Sequence, residues 1–194
     1  MSYGKQRVFL IRHGETEWSL NHKHTGLTDI PLTDNGRSSA RKLGPVLARQ
    51  KFDLVLVSPL LRARETCELA GLGSVARTDE NLHEWNYGDY EGLTTLQIRA
   101  TSPNWQIFDD GCPGGETPAD VGERVDRVIE RARGIDGNIA LFAHGHLLRV
   151  LAARWLGLPV AAGAFFELDT ATLSVLSYYD GISTIERWND SIDT

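Results

Sequence analysis

Cysteine is scarce in this chain. Cys67 and Cys112 are the only two, and neither sits in a CxxC pair. That excludes a disulfide scaffold and fits reduced thiols in a cytoplasmic protein. No signal-peptide pattern opens the sequence and no apolar run approaches membrane length, so the expected compartment is the cytosol, with no membrane partner. Positive charge is not in excess either: 20 Lys and Arg stand against 26 Asp and Glu, for a net charge of −6. There is therefore no electrostatic case for nucleic acid. Repeats, low-complexity tracts and long linkers are absent. So are a GxGxxG fingerprint, a Walker loop and a GxSxG elbow. What remains is a chain of 194 residues, 41% apolar and 24% charged, which is ordinary for one globular domain with a real core. We read residues 1–194 as a single domain.

Three short apolar runs read as buried strands: Val8 to Ile11, Asp53 to Ser58 and Asn138 to Ala143. Ser74 to Thr78 reads as an edge strand. Thr172 to Tyr178 and Ser183 to Trp188 read as a closing pair turned at Asp180-Gly181. Helical patterns lie between them. Gly36 to Lys51 is one, with Gly44-Pro45 expected to kink or interrupt it, and Leu61 to Leu69 is a second. A third is capped by Thr117, has Pro118 in its first turn and stops at Gly134. Leu147 to Leu156 is a fourth. Alternating strands and helices predict an α/β three-layer sandwich, with a mostly parallel sheet and helices on both faces. Leu82 to Gly115 matches no regular pattern. We read 82–117 as a small cap-like insertion in which Trp85, Tyr90 and Trp105 form either local core or a substrate platform.

The chemistry gathers where strands end, which is where open α/β sheets bind ligands. The first strand runs into Arg12-His13-Gly14: a guanidinium to hold an anion, an imidazole to attack, and a glycine that allows a close turn. The second leads to Arg62 in the first turn of a helix. The third leads to His144-Gly145-His146. Taken alone, Arg62 and Arg64 read as solvated helix charges and His144 as a hydrogen-bonded structural residue. Together, three parallel strands deliver phosphate-suited groups to one sheet edge, and fixed cations there would stabilise the charge of a phosphoryl transition state. Release of an ester oxygen also needs an acid, for which Glu84, Asp89 and Glu91 all qualify.

These same residues resemble a known pattern. Leu10 to Thr16, Thr25-Gly26, Pro31-Leu32-Thr33, Ser58-Pro59 with Arg62-Ala63, Glu84, Tyr87-Gly88 and His144-Gly145 are similar, in order, to the signature of the histidine phosphatase superfamily, the phosphoglycerate mutase-like proteins. The resemblance implies that His13 becomes phosphorylated, that Arg12, Arg62 and His144 hold the phosphate, and that Glu84 is the proton donor. It also implies substrate contacts at Ser19, Thr25, Gly26, Tyr87 and Gly145. The runs Glu84 to Gly92 and Asp110 to Thr117 resemble the broad-specificity acid phosphatase and sedoheptulose-bisphosphatase-like members more than the mutases. A mutase must keep water off its phosphohistidine, and a short lid favours hydrolysis.

The expected activity is hydrolysis of small phosphorylated metabolites without a cofactor. Phosphoglycerate mutase is the alternative, followed by a phosphate-binding protein that does not turn over. A cysteine phosphatase fails because the residue at the Cys-x5-Arg spacing from Cys112 is Pro118. A metallophosphatase would draw on His13, His83, His144, His146 and Asp89, but no two-metal carboxylate pattern is visible and no metal is expected. His22, Lys23, His24 and Arg99 are candidates for a second anionic group or for plain surface charge. Guanidinium groups near the imidazoles, and a Glu84 carboxyl raised by aromatic surroundings, predict activity biased to mildly acidic pH. The sequence leaves a homo-oligomer open.

Overall fold

Short apolar runs become the central strands because helices cover the sheet on both sides. The computed structural model describes residues 6–192, and the outermost residues of the expected 1–194 domain lie outside it. Its strands are β1 (Val8–Arg12), β2 (Leu54–Val57), β3 (Arg77–Thr78), β4 (Ile139–Ala143), β5 (Leu173–Tyr179) and β6 (Ile182–Asp190). Its α-helices are α1 (Glu17–Leu20), α2 (Asp34–Leu47), α3 (Leu61–Leu69), α4 (Thr95–Thr101), α5 (Ile107–Asp110), α6 (Pro118–Arg133) and α7 (Gly145–Trp155).

The sheet order is β3-β2-β4-β1-β5-β6. The pairs among β1, β2, β3 and β4 are parallel, and β5 and β6 add antiparallel strands at one side. Alternate strand residues point to opposite faces, so each central strand feeds two cores. Val8, Leu10, Leu54, Leu56, Ile139 and Leu141 pack with α6 and α7. Phe9, Ile11, Val55, Val57, Ala140 and Phe142 pack with α2 and α3. This is the three-layer α/β arrangement that the sequence predicts.

Several element boundaries differ from expectation. Pro45 does not break α2, which runs unbroken from Asp34, capped by the Thr33 hydroxyl, to Leu47. The proline removes one N–H close to the helix end, and Ala48 N–H still donates to the Gly44 carbonyl at 2.8 Å. The edge strand shrinks to Arg77–Thr78 because Gly73–Val75 turns as a 3-10 helix. Residues 82–115 are not irregular throughout: they hold α4, opened by a Thr94–Gln97 capping box, and α5. Trp85 and Trp105 are buried in the α6–α7 core, as local core residues would be. Helix α7 begins at Gly145, two residues before the expected Leu147, for a reason that lies in the site.

Candidate active site

Register brings the strand exits together. Arg12 lies opposite Ala143, and Val57 lies opposite Phe142. The backbone pairing continues past the strands: His13 N–H donates to the Ala143 carbonyl at 3.0 Å, and Ser58 N–H donates to Phe142 at 2.9 Å. The His13 and His144 rings consequently lie 5.1 Å apart, centroid to centroid.

A hydrogen bond to a carbonyl assigns the proton on the His13 ring. His13 Nδ1 lies 2.7 Å from the Gly14 carbonyl, which can only accept, so Nδ1 carries the hydrogen and Nε2 keeps a lone pair. His144 Nε2 lies 2.7 Å from Ser58 Oγ. That hydroxyl also accepts Leu60 N–H at 3.3 Å and has a second lone pair and its own hydrogen to offer the ring, so it fits either tautomer of His144.

The two arginines are anchored differently. Arg12 Nη1 donates to the Leu168 carbonyl. A Cβ at Gly145 would come within 3.3 Å of the Arg12 Cζ and Nε atoms, so a side chain there would crowd the guanidinium. Arg62 is wholly buried, and its Nη atoms donate to the carbonyls of Thr25, Gly26 and Thr28 at 2.8–3.1 Å. Among the described residues, three buried side-chain nitrogens have no hydrogen-bond partner: Arg12 Nε, Arg62 Nε and His144 Nδ1. Buried polar nitrogens left over in this way are costly, and an anion bound here would satisfy the two guanidinium donors among them.

Glu84 closes the arrangement. Its Oε1 accepts the N–H groups of Trp85 (2.9 Å) and Leu147 (3.0 Å), and its Oε2 accepts that of His146 (3.1 Å). The carboxyl thereby caps the first turn of α7 from another segment, which is why the helix starts early. The polar partners of this carboxyl are backbone N–H groups, where the sequence suggested aromatic surroundings.

A cavity of about 260 Å³ opens above these residues. Arg12, His13, Ser19, Thr25, Glu84, Tyr87 and Gly145 form part of its wall. Arg62, His144 and Gly26 are buried behind it. Gly26 accepts Arg62 on its carbonyl and gives its N–H to Glu91, and a Cβ there would meet Glu91 Oε2 at 2.5 Å and the Trp85 carbonyl at 2.7 Å. Of the three candidate acids, Glu84 alone borders the cavity, since Glu91 is spent on the N–H groups of Gly26 and Thr28.

His22, Lys23 and His24 also line it, whereas Arg99 does not and bonds instead to the Trp105 carbonyl at 3.0 Å. Sequence reasoning missed Arg149, which lines the cavity, stacks over Phe108 at 4.6 Å and donates to the Gly163 carbonyl. It lies four residues after Gly145, one helical turn along the same face, and that spacing was the available signal. His146 is a wall residue too, with Tyr87 Oη 2.6 Å from its Nδ1. Among the described residues, no His, Cys, Asp or Glu side chains gather in threes as metal ligands.

Burial, followed by the charges of Arg62 and Arg12, holds the His13 imidazole well below the ordinary 6.5. Burial and then Arg62 do the same for His144, burial and then Arg149 for His146, and burial alone brings His24 to about 4. The unfolded chain therefore takes up protons that the folded chain refuses. The stability these neutral rings contribute is complete above the unfolded value and is lost as pH falls towards the folded ones, at up to about 1.4 kcal/mol per pH unit for each ring. Calorimetric melts are expected to show a Tm that drops between about pH 7 and pH 5. An unchanged Tm across that span would contradict neutral burial.

Residues 8–191 match the family model described as histidine phosphatase superfamily, branch 1. The chain is 40% identical over 186 residues to an acid phosphatase of Mycobacterium tuberculosis, covering 94% of this chain and 91% of the relative. It is 38% identical to sedoheptulose 1,7-bisphosphatase of Saccharomyces cerevisiae, covering 79% of this chain and 69% of the relative. Its fold superposes on the solved structure of the open reading frame Rv3214 of Mycobacterium tuberculosis with a TM-score of 0.93 at 38% identity, covering 97% of this chain and 99% of that one.

Proposed function

The chain belongs to the histidine phosphatase superfamily, and on that premise we propose that it hydrolyses small phosphorylated sugars through a phosphohistidine at His13. The observation that carries this is the set of three partnerless buried nitrogens, on Arg12, Arg62 and His144, around a ring whose Nε2 holds a free lone pair. The two guanidinium Nε–H groups are fixed donors for the oxygens over which the transition state spreads its charge, and His144 joins them in the tautomer that carries its hydrogen on Nδ1.

His13 Nε2 attacks phosphorus in line with the departing ester oxygen. The P–O bond breaks as the N–P bond forms, and the leaving oxygen takes a proton from Glu84. Oε2 is the oxygen suited to carry that proton, because it has one N–H partner while Oε1 has two. The carboxylate then takes a proton from water. The resulting nucleophile attacks the phosphohistidine, releasing phosphate and restoring both groups. With His13 held neutral well below 6.5, the attacking ring is ready throughout the mildly acidic range.

The wall cations extend the reading to the substrate. Arg149 and Lys23, both on the wall, suit a second anionic group, and one relative is named for a bisphosphorylated sugar. Arg149→Met is expected to raise KM for a sugar bisphosphate by roughly 10–100-fold, the cost of one charge-assisted hydrogen bond, and to spare an aryl monophosphate by comparison. Equal effects on both would remove Arg149 from this role.

The cytosol remains our proposed compartment, since Cys67 and Cys112 are free and buried, each thiol pushed up to about 12 chiefly by burial. Among the described residues, no helix is long and apolar enough to cross a membrane. The deciding experiment is a hydrolysis panel of phosphorylated sugars with acid-labile phosphate trapped on the protein and mapped. Label on residue 13 is the expected result, and turnover with label elsewhere or with none would overturn the mechanism.

A further inference from the structure

Helix α6 contributes no residue to the cavity wall, yet it carries Arg124, a guanidinium left only 4% exposed. All five of its N–H donors are used. Nε and one Nη2 hydrogen grip Glu116 Oε1 at 2.7 Å and Oε2 at 3.0 Å. The other Nη2 hydrogen goes to the Glu84 carbonyl at 3.2 Å. Both Nη1 hydrogens go to the carbonyls of Asn81 (3.0 Å) and His83 (2.8 Å). Glu116 in turn accepts Asn86 N–H on Oε2 at 2.8 Å, and its carbonyl accepts the Trp85 indole N–H at 2.9 Å.

The segment that bears Glu84 is therefore clamped on both sides of that residue by one ion pair, whose arginine is buried. We propose that Arg124 and Glu116 are positioning residues for the proton donor: they fix the backbone from which the Glu84 carboxyl reaches the first turn of α7 and the departing oxygen. The proposal rests on the reading of Glu84 as general acid. Only a planar fork spans five acceptors in these directions, and the three donors of a lysine radiate from a single point.

A general acid matters in proportion to how poor the leaving group is, and this separates positioning from bulk stability. An alkyl alkoxide must be protonated as its P–O bond breaks, whereas p-nitrophenolate departs with little help. The readout is kcat/KM, which covers steps only up to phosphoryl transfer onto His13. Arg124→Lys is expected to lower kcat/KM for phenethyl phosphate by roughly 10–100-fold more than for p-nitrophenyl phosphate. Glu116→Gln, which keeps one acceptor oxygen, is expected to shift the ratio in the same direction and serves if the lysine variant does not fold. In a Glu84→Gln background, Arg124→Lys is expected to change the ratio no further. Equal loss on both esters in the folded variants, or the full selective loss persisting without Glu84, would overturn the proposal. A wild-type protein that cleaves neither ester nor any phosphorylated sugar would instead overturn the phosphatase reading itself.

Discussion

His13→Ala is expected to lower kcat by about four orders of magnitude or more, the loss seen when a covalent nucleophile is removed. The protein should remain folded. Removing the ring forfeits one hydrogen bond, from Nδ1 to the Gly14 carbonyl, which is worth about 1 kcal/mol. It also removes a group whose protonation opposes folding in acid, so the variant should lose less stability than wild type as pH falls below the ordinary histidine value. Three measurements check this: steady-state hydrolysis, phosphate trapping, and melts at neutral and mildly acidic pH. A folded variant that still turns over at a tenth of the wild-type rate would end the phosphohistidine mechanism.

Arg62→Ala should damage both activity and fold. Its guanidinium is bonded to the carbonyls of Thr25, Gly26 and Thr28, keeps a partnerless Nε, and its charge acts on both His13 and His144. Substitution removes a fixed charge from the phosphoryl site, expected to cost roughly a hundredfold or more in kcat/KM. It also leaves three carbonyls of the 25–28 loop without their donor, at a cost of about 2–5 kcal/mol in stability. Relief of desolvated charge offsets part of that figure, and the net result is a lower Tm together with the loss of rate. Arg62→Lys restores the charge without the fork, so it should recover some phosphate affinity but less of the loop's stability. A variant with wild-type kcat/KM and an unchanged Tm would remove Arg62 from both roles.

How much of this was legible beforehand depended on how local each signal was. The runs Val8 to Ile11, Leu54 to Val57 and Ile139 to Ala143 are apolar throughout, because both faces of a covered parallel strand are buried. The Thr117 cap and Pro118 start of α6 are equally local. Helix α4 escaped notice because it is short and only Ile98 among its residues is buried, with Leu96 82% exposed, so no apolar stripe repeats. The early start of α7 was not readable at all: the groups that satisfy its first turn belong to Glu84, some sixty residues away in sequence.

The sequence by itself determined the inventory: an alternating α/β chain whose strands end in Arg12-His13-Gly14 and His144-Gly145, a nearby Arg62, and three carboxylates from which an acid could be drawn. These follow from composition and period, which need no partner in space. Only the tertiary structure decided which of these side chains share one wall. It set Glu84 on the cavity wall and gave Glu91 to a loop, brought Arg149 in and left Arg99 out, and closed Arg124 on the segment that bears Glu84. The placements of Glu84, Glu91 and Arg124 depend on hydrogen bonds between residues distant in sequence, and such bonds exist only once the sheet register has brought the strand ends together.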